Sequence, residues 1–300
     1  MVARATRPGP VGVASCRLDP ARNRDYLATM SLPNRSTASH HLLCGDSPLL
    51  VSVPHAGTDV PDRIRSMLAP GAGKGTPGDT DHFVDRLYDF VPDLGASLLV
   101  ARMSRWVVDL NRPADDRPLY PGQAGTGLVP RTRFDGSPIW SMAPDSVAVQ
   151  ARVARYWRPY HDALRAELDR KVALHGFAIL WDAHSIRSQV PRLFDGTLPD
   201  LNLGTHSGAS CAPGLRALVG ARLSALERWS HVVDGRFRGG HITRHYGRPA
   251  DAVHALQLEL AQSTYMDEAA GLPTWSPSRA APLALALRDL LEEVGQWQPA

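Results

Sequence analysis

Ile179-Leu180-Trp181-Asp182-Ala183-His184-Ser185 is an apolar run that closes on an acid and a histidine, with Arg187 just beyond. A buried strand that ends this way hands a metal-type ligand to the loop that follows it. Leu49-Leu50-Val51-Ser52-Val53-Pro54-His55-Ala56-Gly57 has the same form, again with a histidine at the strand exit. Two such strands in one sheet would set two imidazoles side by side. On the first of them, Asp182 and His184 are two positions apart, so in an extended chain both side chains leave the same face.

Further strands are expected at Ser97 to Arg102, Val107 to Asp109 and Val232 to Asp234, beside Leu49 to Val53 and Phe177 to Asp182. They alternate with helical patterns over His82 to Val91 and Ser146 to His175, where Val149, Val153, Tyr156, Tyr160, Leu164 and Leu168 recur at helical spacing. Asp251 to Gln262 reads as a helix or a strand near the site, and Leu283 to Val294 as an outer C-terminal helix. This alternation predicts an α/β fold with a largely parallel sheet. The Pro-, Gly-, Arg- and Asp-rich stretch from Asn111 to Ser141 is too long for an ordinary connection and is expected to be a functional loop. Residues 1 to 45 lack periodicity and read as a disordered or loosely attached arm, leaving residues 46 to 300 as one catalytic domain.

A formal charge of +3, with 33 Lys+Arg against 30 Asp+Glu and no long basic block, gives nucleic-acid binding little support. Lys74 and Lys171 are the only lysines, so the basic side is almost all arginine, which grips carboxylates with two parallel bonds. Cys16, Cys44 and Cys211 are scattered without CxxC spacing, which argues against a disulfide framework or a cysteine zinc site. No apolar stretch approaches the ~18 residues needed to span a bilayer, and the start lacks the order of a secretory signal. The expected location is the cytoplasm.

In an open α/β sheet, ligands gather beyond the carboxyl ends of the strands, where His55 and His184 are expected to lie. Neutral imidazole is a good zinc ligand, and a catalytic zinc takes three protein ligands, so a carboxylate is the missing member. Asp59, Asp79, Asp81 and Asp85 are the candidates. Asp81 is favoured because it follows the Gly-rich loop Gly71 to Gly78 and opens the helix near His82; Asp79 suits a helix N-cap. Asp85, one turn on, and Asp182 would support the ligands from behind.

Asn111 and Arg112 arrive together after Val107 to Asp109 and suit a substrate carboxylate, although Arg112 could equally pair with Asp109. Arg187 and Arg244 stand in similar company, and a substrate with two carboxylates would use several such arginines. Gly239 and Gly240 would let the backbone approach a ligand closely. Glu259 is a single acid in the apolar run Val253 to Ala261; burial would raise its pKa toward the range of a general base.

Taken in order, Pro54-His55-Ala56-Gly57, Asp79-Thr80-Asp81, Asp109-Leu110-Asn111-Arg112, Leu119-Tyr120-Pro121-Gly122, Trp181-Asp182-Ala183-His184-Ser185, Arg192-Leu193-Phe194-Asp195-Gly196, Asp200-Leu201-Asn202-Leu203-Gly204, Gly239-Gly240-His241-Ile242-Thr243-Arg244 and Gln257-Leu258-Glu259-Leu260 resemble the N-formylglutamate amidohydrolase (deformylase) family over about residues 46 to 270. Each motif alone is weak; their order is specific. The family is related to the zinc carboxypeptidases and aspartoacylase, and the resemblance implies their three-layer α/β/α, phosphorylase/hydrolase-like fold with a mixed, largely parallel central sheet. It implies that His55 and His184 hold zinc, that Asn111 and Arg112 grip the substrate carboxylate, and that Glu259 is the base. The relatives' first-loop His and Glu pair is broken here, because Thr58 stands three beyond His55, and Asp81 is taken as the replacement ligand. The implied reaction is hydrolysis of N-formyl-L-glutamate, the last step of one route of histidine degradation. The implied partner is a small dicarboxylate N-acyl amino acid, with no nucleic acid or membrane. The alternatives are a hydrolase of another N-acyl amino acid, of aspartoacylase or succinylglutamate desuccinylase type, or a non-catalytic carboxylate-binding protein.

Overall fold

The structure is a computed structural model that describes residues 38–72, 78–119, 125–268 and 273–299. Seven strands form one mixed sheet: β1 (His40–Leu43), β2 (Leu49–Val53), β3 (Ser97–Ala101), β4 (Ala178–Ile186), β5 (Leu201–Gly204), β6 (His231–Val233) and β7 (Val253–Ala261). Their spatial order is β1-β3-β2-β4-β7-β5-β6. The central strands β3, β2, β4 and β7 are parallel, while β1 and β5 join antiparallel to their neighbours. The helices are α1 (Asp62–Arg65), α2 (Val84–Leu87), α3 (Ser146–Arg152), α4 (Arg158–His175), α5 (Pro213–Ala225), α6 (His241–Tyr246) and α7 (Pro277–Gln296).

A parallel sheet covered on both faces buries every residue of its central strands, and all residues of β2, β3, β4 and β7 are buried. Alternation sends Val51, Trp181 and Leu258 into a core shared with Val219 and Leu223 of α5 and with Leu287 and Leu290 of α7. Leu50, Leu180 and Ala255 point the other way, onto Tyr160, Leu164 and Leu168 of α4 and the apolar loop residues Trp106 to Val108. The α/β architecture expected from the alternation of elements is thus observed, with a mixed sheet between helical layers.

Several boundaries differ from expectation. The arm expected up to residue 45 is cut short by β1, whose backbone pairs with β3; residues 1–37 lie outside the described residues, as do residues 73–77 of the Gly-rich loop and 120–124 of the long loop. Val107 to Asp109 is not a strand. The Val107 amide bonds to the Ser104 carbonyl and the Asp109 amide to the Leu128 carbonyl, so these apolar residues are a buried turn packed under the sheet; a short apolar run fixes burial, not extension. The helix expected over His82 to Val91 shrinks to α2, because Phe83 takes a left-handed φ of 62° and Pro92 lies in the 3-10 turn that follows. Ser146 to His175 is helical as expected, with a π turn at Val153–Trp157 between α3 and α4. Asp251 to Gln262 resolves to strand β7. Cys44 is disulfide-bonded and Cys211 is a buried free thiol; one bridge falls short of a disulfide framework. Among the described residues, no helix is long and apolar enough to cross a membrane.

One glycine connects fold and site. Just past His55, a side chain at Gly57 would collide with the backbone of Arg102 and Met103, where the chain leaving β2 crosses the end of β3. Gly57→Ala is therefore expected to cost roughly 1–3 kcal/mol and to lower Tm by several degrees. An unchanged thermal unfolding midpoint would show that the crossing has room to spare.

Candidate metal centre

The register of the sheet builds one wall of the centre. In the parallel β4–β7 pair, Asp182 lies opposite Gln257 and His184 opposite Glu259. All four are at alternate positions, so their side chains share one face at the carboxyl end of the sheet. Strand β4 runs to Ile186, two residues past His184; the histidine expected at the strand exit thus lies within the strand, which fixes its direction more firmly than a loop would. His55 does follow the end of its strand, β2.

The third group comes from a loop clipped to the second. The Asp81 amide donates to the His55 carbonyl at 3.1 Å, bringing the Asp81 carboxylate between the two rings. Its Oδ2 lies 3.1 Å from His184 Nδ1 and 3.7 Å from His55 Nδ1, and also accepts the Ser185 amide at 3.0 Å. The ring centroids are 4.8 Å apart, and one ligating atom from each of the three residues falls within 4.8 Å of the others. All three are buried.

Both rings are held from behind by a separate carboxylate. His55 Nε2 is 2.7 Å from Asp109 Oδ1, and His184 Nε2 is 3.2 Å from Asp182 Oδ2. A proton on His55 Nε2, donated to Asp109, leaves that ring's Nδ1 lone pair directed at the space beside Asp81, which is how ligating histidines are oriented in metal sites. Asn111 Nδ2 donates to Asp182 at 3.3 Å and lies 2.8 Å from His184 Nε2, while its Oδ1 accepts the Ile242 amide. Asp182 further accepts from Thr243 and from Ser52, whose hydroxyl meets Tyr160.

Charge gives an independent test of whether a cation fits. Asp81, Asp109 and Asp182 are each at most 1% exposed, against one buried guanidinium here, Arg105. Arg105 pairs with Asp109 at 2.6 Å and approaches Asp81 at 3.8 Å. The remaining negative charge is answered by the histidines: burial disfavours a charged ring, yet Asp182 and Asp81 raise the His184 pKa well above the ordinary value. Burial likewise opposes ionisation of Asp81, but attraction to His55 and hydrogen bonds from both rings hold it below the usual carboxylate range. Two imidazoles, a carboxylate and a surplus of buried negative charge fit a divalent cation.

Glu259 sits beside this group, buried, with its pKa pushed up to about 8 chiefly by desolvation; His184 and Arg105 oppose the rise, Asp81 and Asp182 add to it. It lines a cleft with His55, His184, Arg105, Asn111 and Arg112. Arg112 is anchored there by Thr126, through its carbonyl at 2.7 Å and hydroxyl at 3.1 Å. The salt bridge considered for Asp109 is formed by Arg105 instead.

Other expected residues fall elsewhere. Asp79 accepts the Phe134 amide and the Trp106 indole N–H, Asp59 pairs with Arg102 at 2.9 Å, and Asp85 accepts the Arg86 amide on α2 without a hydrogen bond to the three converging groups, which does not match the supporting place expected for it. Arg187 is exposed and Arg244 donates to the Gly239 and Leu119 carbonyls; neither is among the residues lining the cleft. The close approach at Gly240 is to the Asn111 carboxamide, which a Cβ there would overlap. Sequence reading missed Arg105, Asp109 as the partner of His55, and Arg236, which also lines the cleft. The four-residue spacing of Arg105 and Asp109 was a usable signal; Arg236 carried none.

Residues 47–266 match the N-formylglutamate amidohydrolase family model. An N-formylglutamate deformylase of Pseudomonas aeruginosa is 52% identical over 255 residues, 84% of this chain and 94% of that one. One from Pseudomonas putida is 51% identical over the same shares. The crystal structure of N-formylglutamate amidohydrolase from Ralstonia eutropha JMP134 superposes with a TM-score of 0.73 at 28% identity, covering 86% of this chain and 97% of that one. The gene product Atu2144 from Agrobacterium tumefaciens, at 15% identity, shares the fold with a TM-score of 0.67, over 86% of this chain and 94% of that one. The matched span contains every residue of the buried centre, from His55 to Glu259, and the chain belongs to the N-formylglutamate amidohydrolase family.

Proposed function

We propose that the chain hydrolyses N-formyl-L-glutamate to formate and L-glutamate, the last step of one route of histidine degradation. The observation that carries the reaction class is the set of His55, Asp81 and His184 beside a buried Glu259 in one cleft. The substrate is supported by the deformylases that are about half identical over nearly their whole length.

His55, Asp81 and His184 would hold a divalent cation, zinc by the donor set, which when bound supplies Lewis acidity to the formyl carbonyl and acidifies water. Glu259 takes the proton of the attacking water as the new C–O bond forms, and returns it to the glutamate nitrogen as the C–N bond breaks. Desolvation that makes Glu259 a stronger base also demands a nearby positive charge to keep it ionised at neutral pH. Arg105 keeps a buried Nε–H without an acceptor; it is available to the oxygen that becomes negative when water adds to the carbonyl. Arg112, held by Thr126, offers a fixed guanidinium to one substrate carboxylate. Fixing both ends of the substrate makes the attack effectively intramolecular.

Metal analysis of protein purified without chelator is expected to find about one zinc-type ion per chain. His184→Ala should lose both ion and formate release; a metal-free preparation with full activity would rule out this centre. Glu259→Gln should retain the ion and lose about 10²–10⁴-fold in kcat, and near-wild-type turnover would remove Glu259 as the base. Arg112→Lys should raise KM for N-formylglutamate with a smaller change in kcat, whereas unchanged kinetics would place that carboxylate elsewhere.

A further inference from the structure

N-formylglutamate carries two carboxylates, and the proposed reading gives Arg112 only one of them. The sequence offered Arg187 and Arg244 for the other, but neither lines the cleft. Among the described residues, three guanidiniums do: Arg105, Arg112 and Arg236. Arg105 is committed to Asp109 and Asp81. We infer that Arg236 reads the side-chain carboxylate of the substrate and sets the preference for an acidic over a neutral N-formyl amino acid, an inference that rests on the proposed deformylase reading.

Arg236 is half-buried on the segment between β6 and α6. Its Nε donates to the Leu193 carbonyl at 3.0 Å, and its guanidinium carbon lies 5.3 Å from the centre of the Phe237 ring. Leu193 and Phe237 line the cleft beside it. The Leu193 carbonyl and the Phe237 ring help to fix the plane of the guanidinium before substrate arrives, so little freedom is lost when a planar carboxylate docks. The apolar side chains of Leu193 and Phe237 lower the polarity around it, which strengthens a charge pair formed there. A neutral carboxamide offers this guanidinium no negative charge to pair with, and the difference between the two groups is a source of discrimination.

Formate release from N-formyl-L-glutamate and from N-formyl-L-glutamine, measured on metal-loaded wild type, Arg236→Met and Arg236→Lys, tests the assignment. Wild type should prefer the glutamate substrate. Arg236→Met should lose about a hundredfold in kcat/KM on N-formylglutamate but change less than about threefold on N-formylglutamine, and Arg236→Lys should recover part of the loss. Equal losses on both substrates, no loss at all, or a selective loss in Arg187→Ala instead would each overturn the role of Arg236 while leaving the deformylase reading intact. A wild-type enzyme that releases no formate from N-formylglutamate would overturn that reading and this inference with it.

Discussion

Three carboxylates buried at the carboxyl ends of β2 and β4, with one buried guanidinium to answer them, are the constraint on which the site depends. Asp81, Asp109 and Asp182 are removed from water, and isolated buried charge is too costly to persist without partners. The protein meets this demand in two ways. Arg105 spans Asp109 and Asp81, and the two imidazoles each place one nitrogen on a flanking carboxylate and the other toward Asp81. A divalent cation at the meeting point of the three groups would complete the balance, and would supply Lewis acidity to an amide carbonyl.

The sheet makes this arrangement reproducible. Alternation along β4 and β7 separates Trp181 and Leu258, which pack the core, from His184 and Glu259, which face the cleft. A one-residue slip of either strand would exchange the two sets. Behind the rings, Asp182 collects Ser52, Asn111 and Thr243, so strands β2 and β4, the turn that carries Asn111 and helix α6 are joined at a single carboxylate. The absence of a side chain at Gly240 gives the Asn111 carboxamide its place in that network.

Much of this was legible in the chain because strand ends leave a periodic signature. His55, His184 and Glu259 each interrupt an apolar run towards the carboxyl end of a strand, where an α/β sheet gathers its ligands. Asp81 was harder, since Asp59, Asp79 and Asp85 are chemically equivalent; the bond between the Asp81 amide and the His55 carbonyl and the approach of its carboxylate to both rings select it. Val107 and Val108 misled because burial under the sheet and membership of it demand the same side chains. The arginines near the cleft differ from those the motifs pointed to, for another reason. Proximity in sequence to His184 or Gly240 drew attention to Arg187 and Arg244, whereas the path of the segment between β6 and α6, which no local pattern encodes, brings Arg236 to the cleft.

Anomalous diffraction from crystals grown with zinc tests the central claim most directly. The charge balance and the ring orientations predict one strong peak about 2.0–2.2 Å from an Asp81 oxygen and from Nδ1 of both His55 and His184, with each Nε2 still on Asp109 or Asp182. A peak bound through the Nε2 atoms, or one seated at Asp79 or His241 with the three converging groups left empty, would contradict it.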